Sequence, residues 1–235
     1  MSVDTAMVLA AGLGTRIRPL APDRPKPLVE VAGRALIDHA LDTLAAGGVE
    51  RVVVNVHYLA DQVEAHLRTR ARPTVAISDE RARLMETGGG LAQASPLLGD
   101  GPVFCTNTDA ILEEGPSGSP VRRLAAAWDE AAMDALLLLV PRAETSGYDG
   151  PGDFDLSDDG RLAWPEERTG RPVFTGLQIV SPRLWAGRAP APMSTKVFWD
   201  EAMARGRLFG LLHDGFWLHV GDPEGHAAAE ARLAR

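Results

Sequence analysis

Short apolar runs alternate with longer stretches of helical periodicity over the first 140 residues of the chain. The apolar runs predict buried strands at residues 6–10, 51–56, 75–78, 103–107 and 135–140. The stretches between them predict helices at residues 36–44, 59–70 and 121–132, and another after the glycines at 88–90. Such alternation of strand and helix is typical of a parallel, doubly wound α/β sheet.

The pattern changes after residue 141. Two hairpins are predicted, with strands at 154–156 and 162–164 and at 208–213 and 217–220, because Asp-Gly pairs suit the intervening turns. The other predicted elements are a strand at 173–180, a helix at 197–204 and a C-terminal helix that begins at Asp222-Pro223. No repeat or long linker interrupts the chain. The sequence therefore predicts a single α/β domain over residues 1–235, a Rossmann-like, doubly wound mixed sheet in three layers.

Composition narrows the possible functions. The chain of 235 residues has a formal net charge of −8, which argues against a nucleic-acid partner because binding to a phosphate backbone needs a basic surface. No apolar run is long enough to cross a bilayer, and residues 1–6 lack the basic start of a signal peptide. The one cysteine, Cys105, lies in an apolar run and is predicted to be an inert core thiol. We therefore expect a cytoplasmic protein without a membrane partner; the oligomeric state stays open.

The segment richest in candidate chemistry follows the first predicted strand, at residues 9–20. Its glycines at 12 and 14 let backbone N–H groups approach a phosphate, because no Cβ blocks the way. A dinucleotide fingerprint would need a third glycine three residues after Gly14, and the ATPase phosphate loop needs a Gly-Lys-Ser/Thr; both are absent. With Arg16 and Arg18 in the loop and Lys26 just beyond it, the segment predicts a site for an anion longer than one phosphate.

Lys26 is distinguished by its rarity and its setting. Only two of the 24 lysines and arginines are lysines, so a lysine here indicates a need for a compact ammonium group. Pro25 and Pro27 flank it and stiffen the backbone. We expect them to block helix formation and to present the lysine from a fixed, extended segment.

Residues 9–20 and 25–27 resemble the motif of the sugar-phosphate nucleotidyltransferase family. That motif reads Leu-Ala-Ala-Gly-x-Gly-x-Arg-x-x-Pro-Leu and then Pro-Lys-Pro, and the chain matches it at every defined position. The resemblance extends from about residue 7 to residue 224. It implies a GT-A-like fold, with a nucleotide-binding half at about 1–140 and a sugar-phosphate-binding half at about 141–235. The implied reaction transfers a nucleoside monophosphate from a nucleoside triphosphate to a sugar 1-phosphate and releases pyrophosphate.

The resemblance also implies roles for individual residues. Arg16 would lie near the β- and γ-phosphates, and Lys26 between the α-phosphate and the sugar phosphate. Asp109, in the Asn-Thr-Asp turn after the fourth strand, would hold the Mg²⁺ that bridges the reacting phosphates. These three residues are the implied catalytic groups. The implied nucleotide contacts are Leu9, Ala10, Ala11, Gly12, Gly14, Thr15, Arg16, Glu86, Gly88 and Asn107. The implied sugar-phosphate contacts are Lys26, Asp153, Thr175 and Gly176.

One departure from the family pattern concerns the metal. The family commonly ends in Trp-x-Asp-x-Gly, whose aspartate is the second protein ligand of Mg²⁺, whereas residues 217–221 read Trp-Leu-His-Val-Gly. Imidazole suits softer metals, so His219 would bind an ion weakly, bind it through water or bind none. Because side chains alternate along a strand, Leu218 and Val220 should face the core and His219 the cleft. We expect His219 within reach of a metal at Asp109, with Mg²⁺ as the ion and Mn²⁺ as the alternative.

Two further loops narrow the substrate. Residues 86–90 resemble the family loop that touches base and ribose, and residues 152–154 resemble a neighbouring sugar-side loop. Both look most like the cell-wall recycling enzymes that use UTP and N-acetylmuramate α-1-phosphate. Mannose-1-phosphate guanylyltransferase is the alternative within the family. A non-catalytic nucleotide or sugar-phosphate sensor is the alternative of another class, with His219 marking lost metal chemistry.

Overall fold

A computed structural model of the chain describes residues 3–167 and 169–234. The strands along these residues are β1 (Thr5–Leu9), β2 (Glu30–Val31), β3 (Arg34–Ala35), β4 (Arg51–Val56), β5 (Thr74–Asp79), β6 (Val103–Asn107), β7 (Ala110–Leu112), β8 (Ala135–Val140), β9 (Thr145–Ser146), β10 (Asp155–Leu156), β11 (Leu162–Ala163), β12 (Val173–Val180), β13 (Leu208–Leu212) and β14 (Trp217–His219). The α-helices are α1 (Leu36–Ala46), α2 (Ala60–Leu67), α3 (Glu86–Leu98), α4 (Pro120–Ala127), α5 (Lys196–Ala204) and α6 (Pro223–Leu233).

The central sheet is mixed, with the strand order β13-β8-β12-β6-β1-β4-β5. Strand β1 pairs in parallel with β4 and β6, whereas β12 runs antiparallel to β6 and β8. Successive residues of β1 face opposite sides of the sheet: Val8 packs into one buried cluster with α1, α2 and α4, and Met7 into another with α3 and α5. The predicted three-layer, doubly wound mixed sheet is confirmed.

Most of the predicted strands are confirmed. The bounds of β4, β6, β8 and β12 are those predicted, because each is an apolar run delimited by turn residues. The predicted hairpin around residues 158–160 also forms, with β10 antiparallel to β11. The thiol of Cys105 is fully buried in β6, and burial raises its pKa to about 12, as expected for an inert core cysteine.

The second predicted hairpin is wrong. Strand β13 is an edge of the central sheet, parallel to β8, whereas β14 lies in a small separate sheet between β7 and β9. The turn residue Asp214 accepts hydrogen bonds from the Arg123 guanidinium at 2.7 Å and from the Ser117 backbone N–H at 3.1 Å. Its side chain thus fixes a neighbouring loop, and each strand finds a partner that is distant in sequence.

Three predicted helices need correction. Helix α3 does not follow the glycines but begins at Glu86 and contains them, and residues 191–195 lie against its first turns. A Cβ at Gly88 would lie 2.9 Å from the Ser194 carbonyl oxygen, so glycine permits that contact. Helices α2 and α4 end earlier than predicted, at Leu67 and Ala127; after α4, Trp128 leaves the helical conformation.

Along residues 3–167 and 169–234, no helix combines the length and the apolar character that a bilayer crossing requires.

Candidate active site

A cleft of about 510 Å³ opens at the carboxyl ends of the parallel strands β1, β4 and β6. Ligands of open α/β sheets bind at this edge, and the volume suits a small molecule. The residues that line the cleft are Leu9, Ala10, Ala11, Gly12, Gly14, Thr15, Arg16, Lys26, Pro27, Asn55, Leu84, Glu86, Thr87, Asn107, Thr108, Asp109, Ser194 and Gly221. The structure therefore brings together the predicted loop, Lys26, Glu86, Asn107 and Asp109.

Gly14 brings the glycine loop against the lysine. Its φ of +59° lies in the left-handed region, and a Cβ there would lie 2.7 Å from the Lys26 Cβ. The Gly14 carbonyl oxygen accepts hydrogen bonds from the backbone N–H groups of Ile17 at 3.2 Å and Arg18 at 3.1 Å. Only glycine satisfies both the backbone conformation and the close approach, so this residue fixes the distance between loop and lysine.

The two arginines of the loop have different surroundings. Arg18 donates a hydrogen bond to the Leu13 carbonyl oxygen at 3.0 Å, and its guanidinium lies 4.8 Å from the centre of the Tyr58 ring. Arg16 is exposed and lines the cleft. Arg18 therefore holds the loop in shape, and Arg16 is the arginine placed to meet an anion.

The predicted extended segment around Lys26 is wrong. Lys26–Leu28 forms one turn of 3₁₀ helix, closed by a hydrogen bond from the Leu28 N–H to the Pro25 carbonyl oxygen at 2.9 Å. Pro25 is extended, as expected. Pro27, however, lies in the first turn, where a backbone N–H would have no helical partner, so the absence of that N–H costs no hydrogen bond. The prolines thus fix the lysine by starting a turn and not by preventing one.

An ion pair joins Lys26 to Asp109 across the floor of the cleft. The Lys26 Nζ lies 2.8 Å from Asp109 Oδ2, and the side chains are 13% and 22% exposed. Burial alone would raise the pKa of Asp109, but the Lys26 ammonium beside the carboxylate keeps that pKa below its usual value. Asp109 is therefore ionised at neutral pH and can face either a cation or the lysine.

His219 lies beside this pair on β14. It pairs with Ala110 of β7, and the next residue, Val220, donates its backbone N–H to the Asp109 carbonyl oxygen at 2.7 Å. Leu218 and Val220 are buried, whereas the His219 ring is half-buried against Gly221, which lines the cleft. Burial lowers the pKa of His219; the Asp109 carboxylate opposes this shift, and Lys26 adds to it. The predicted burial of Leu218 and Val220 is confirmed, but His219 itself is not among the residues that line the cleft, and its reach to a metal stays a prediction.

Several predicted contacts do not line the cleft. Asp153 accepts a hydrogen bond from the Phe174 backbone N–H at 2.8 Å. Thr175 is 2% exposed, and its hydroxyl donates to the Leu138 carbonyl oxygen at 3.0 Å. Gly176 is buried behind Asn107, and Gly88 is covered by residues 191–195. These residues therefore support the lining of the cleft from the layer beneath it and do not form its surface.

The structure also adds residues that the sequence did not single out. Asn55 lies near the end of β4 and accepts a hydrogen bond from the Ala10 N–H at 2.7 Å. An asparagine within an otherwise valine-rich run was the available signal. Ser194 lies about 100 residues after Thr87 of the predicted loop at 86–90. The two segments meet because the glycines of α3 admit residues 191–195, and nothing local in the sequence indicates this.

In the part of the chain that the structure describes, no three His, Cys, Asp or Glu side chains are grouped so as to hold a metal ion. The nearest approach to a metal site is Asp109 with the neighbouring imidazole of His219. Mg²⁺ is commonly held by one or two carboxylates together with substrate phosphates. A single carboxylate thus fits Mg²⁺ when phosphates supply further oxygen ligands.

The profile of the nucleotidyl transferase family matches residues 5–158. The chain belongs to this family. It is 51% identical, over 97% of its length and 96% of the relative, to N-acetylmuramate alpha-1-phosphate uridylyltransferase of Caulobacter vibrioides. It is 30% identical to the mannose-1-phosphate guanylyltransferase catalytic subunit beta of Dictyostelium discoideum, over 93% of this chain but 61% of that relative. The family resemblance inferred from the sequence is confirmed.

A solved nucleotidyltransferase shares the fold. The structure of UDP-glucose pyrophosphorylase complexed with UDP-glucose matches with a TM-score of 0.80 at 15% identity, over 99% of this chain and 98% of the other. At this identity the likeness concerns the fold alone. It agrees with the predicted architecture of a nucleotide-diphospho-sugar transferase.

We predict that Gly14→Ala reduces kcat/KM on the order of 100-fold, because the new methyl group would displace Lys26. The matched control is Gly33→Ala, where φ is +72° but no atom lies within 4 Å of the methyl group that alanine would add. Both substitutions strain a left-handed residue by about 1–2 kcal/mol, which chemical denaturation measures. Equal loss of activity in both variants would show that backbone strain, and not the contact with Lys26, matters.

Proposed function

We propose that this protein transfers the uridylyl group of UTP to N-acetylmuramate α-1-phosphate, forming UDP-N-acetylmuramate and pyrophosphate. The observation that carries the proposal is the convergence of the glycine loop, Arg16 and the Lys26–Asp109 pair in one cleft. The choice of substrates is supported by the uridylyltransferase relative. It shares more identity with this chain than the guanylyltransferase relative does, and it matches over nearly its full length. The product would place the enzyme in cell-wall recycling; its cytoplasmic location stays a prediction.

The reaction needs positioning and charge neutralisation more than proton transfer. A phosphate oxygen of the sugar 1-phosphate attacks the α-phosphorus, a new P–O bond forms, and the bond from the α-phosphorus to the bridging oxygen of pyrophosphate breaks. Because the nucleophile is already anionic, no general base is required. Lys26 would leave Asp109 to meet the α-phosphate, and Arg16 and the loop N–H groups would hold the leaving pyrophosphate.

The two halves of the chain are proposed to divide the substrates. Residues up to about 140 supply the loop, Asn107 and Glu86 for the nucleotide. The sugar phosphate would meet Lys26 and the part of the cleft closed by the second half. Asp153, Thr175 and Gly176 would act there through the backbone that they hold in place, since their polar groups are already bonded or buried.

A divalent ion is proposed to complete the site. Asp109 would hold Mg²⁺, or Mn²⁺ as the alternative, and His219 stands where the family pattern has a second carboxylate. Such an ion supplies positive charge to the reacting phosphates when bound. Since the pKa of His219 is lowered, mainly by burial, the imidazole is neutral and adds no negative charge to attract the ion.

A panel of nucleotides and sugar 1-phosphates tests the function. We expect the highest kcat/KM with UTP and N-acetylmuramate α-1-phosphate, measured as pyrophosphate released. A higher kcat/KM with GTP and mannose 1-phosphate would replace this assignment by the guanylyltransferase alternative. Binding of nucleotide without pyrophosphate release from any pair would favour the sensor.

We predict that Lys26→Ala lowers kcat by about 10²–10³-fold, because it removes a charge donor at the transferring phosphoryl group. Lys196→Ala is the matched control: the other lysine is exposed, and its Nζ lies 5.9 Å from the centre of the Trp164 ring. Steady-state kinetics of both variants, with circular dichroism to verify folding, make the comparison. Near-normal turnover in Lys26→Ala would remove the lysine from the mechanism.

His219→Asp is predicted to strengthen metal binding, since it restores a second carboxylate beside Asp109. Titration of Mn²⁺ into the UTP-saturated protein, followed by the EPR signal of free Mn²⁺, should give a lower Kd than for the wild type. An unchanged Kd would mean that position 219 does not reach the ion.

A further inference from the structure

A buried carboxylate lies directly behind the cleft. Glu80 follows β5 and is 1% exposed. Its Oε1 accepts a hydrogen bond from the side-chain Nδ2 of Asn55 at 2.8 Å, and its Oε2 accepts one from the backbone N–H of Met85 at 2.9 Å. Burial raises the pKa of Glu80, and the Met85 and Asn55 hydrogen bonds oppose that shift. Glu80 is not among the residues that line the cleft.

Hydrogen bonds continue from Glu80 to the glycine loop on one side. Asn55 is 2% exposed, and its Oδ1 accepts from the backbone N–H of Ala10 at 2.7 Å. Ala10 follows β1 directly and stands at the entrance to the loop. The orientation of the Asn55 amide is therefore fixed: its nitrogen faces the carboxylate and its oxygen faces the loop.

On its other side, Glu80 is connected through Met85 to the wall of the cleft that contains Glu86 and Ser194. The Met85 carbonyl oxygen accepts from the Met193 N–H at 3.1 Å, beside the cleft residue Ser194. Met85 also precedes Glu86, a non-glycine residue with φ of +60° that lines the cleft. Left-handed residues of this kind persist only where neighbouring contacts hold them.

A glutamate is a poor choice for stability alone at this position. A buried carboxylate is costly to remove from water, and apolar side chains of similar volume commonly give equal or greater stability. The groups that face Glu80 are two N–H donors, one on each side, so the residue must accept at both ends. A carboxylate does so, whereas an amide of the same shape accepts at one end and donates at the other.

We propose that Glu80 is a positioning residue for the bound nucleoside triphosphate. It sets the distance between the glycine loop and the wall of the cleft that contains Glu86 and Ser194. It acts through Asn55 on Ala10 and through Met85 on Glu86, without touching the substrate. The proposal rests on the proposed function in one respect only, namely that the cleft binds a nucleoside triphosphate.

The single substitutions Glu80→Gln and Asn55→Asp should each break the series of hydrogen bonds. Glu80→Gln places an N–H group against the Met85 N–H or against the Asn55 Nδ2. A flip of Asn55 would only move the conflict to Ala10. Asn55→Asp places two carboxylates face to face. We expect each variant to bind UTP at least about tenfold more weakly, since a buried polar group is left without a partner.

The double substitution Asn55→Asp with Glu80→Gln should recover most of the lost affinity. The carboxylate introduced at position 55 can accept from the Ala10 N–H and from the amide introduced at position 80. The oxygen of that amide can accept from the Met85 N–H. Every donor again has an acceptor, and the net charge equals that of the wild type.

The measurements are the Kd for UTP by isothermal titration calorimetry, the KM for UTP and for the sugar phosphate, and the thermal unfolding midpoint. Glu50→Gln, the same chemical change at an exposed position, is the control and should leave all of them unchanged. A lower thermal unfolding midpoint of Glu80→Gln together with an unchanged Kd for UTP would overturn the proposal in favour of a purely structural role. Failure of the double variant to regain affinity would overturn it too.

The wild-type titration separates this proposal from the proposed function. A wild type that binds GTP in place of UTP would correct the substrate, and the ratio of variant to wild-type Kd, measured with GTP, would still decide the role of Glu80. A wild type that binds neither nucleotide would overturn both proposals.

Discussion

The ion pair between Lys26 and Asp109 is the interaction on which the cleft depends. It joins the turn that follows the glycine loop to the end of β6, so the two loops share one floor. The pair also leaves a partly exposed ammonium and an ionised carboxylate side by side, each able to exchange its partner for a ligand. Gly14 sets the lysine against the loop, and β14 supports the aspartate through the Val220 N–H.

Around this pair, the site is built from short polar connections between apolar elements. The strands β1, β4 and β6 are buried on both faces and therefore rigid, which gives Ala10, Asn55 and Asn107, at or next to their carboxyl ends, fixed positions. Behind the cleft, Glu80 joins Asn55 and Met85 by hydrogen bonds. The central sheet thus supplies the position of the site, and a few buried polar groups connect the segments around it.

The prediction from sequence was correct for elements with a strong local pattern of residues. It failed for elements whose pairing depends on residues distant in the chain. Four strands of the central sheet have their predicted bounds, because an apolar run flanked by turns carries its own information. The predicted β13–β14 hairpin failed because Asp214 binds Ser117 and Arg123 and the two strands find other neighbours. The short strands β2, β3, β7 and β9 went unpredicted, since two or three residues show no periodicity; β10 and β11, equally short, were predicted from the Asp-Gly turn between them.

The amino-acid sequence by itself determined the family, the layered α/β fold and the groups at the centre of the cleft, because the glycine loop, Lys26 and Asp109 lie in contiguous motifs next to buried strands. Only the tertiary structure decided which of the other predicted residues reach the cleft. It placed Asp153 and Thr175 behind the wall and brought Ser194 into it. Contacts between residues far apart in the chain depend on close packing, which no local pattern of residues specifies.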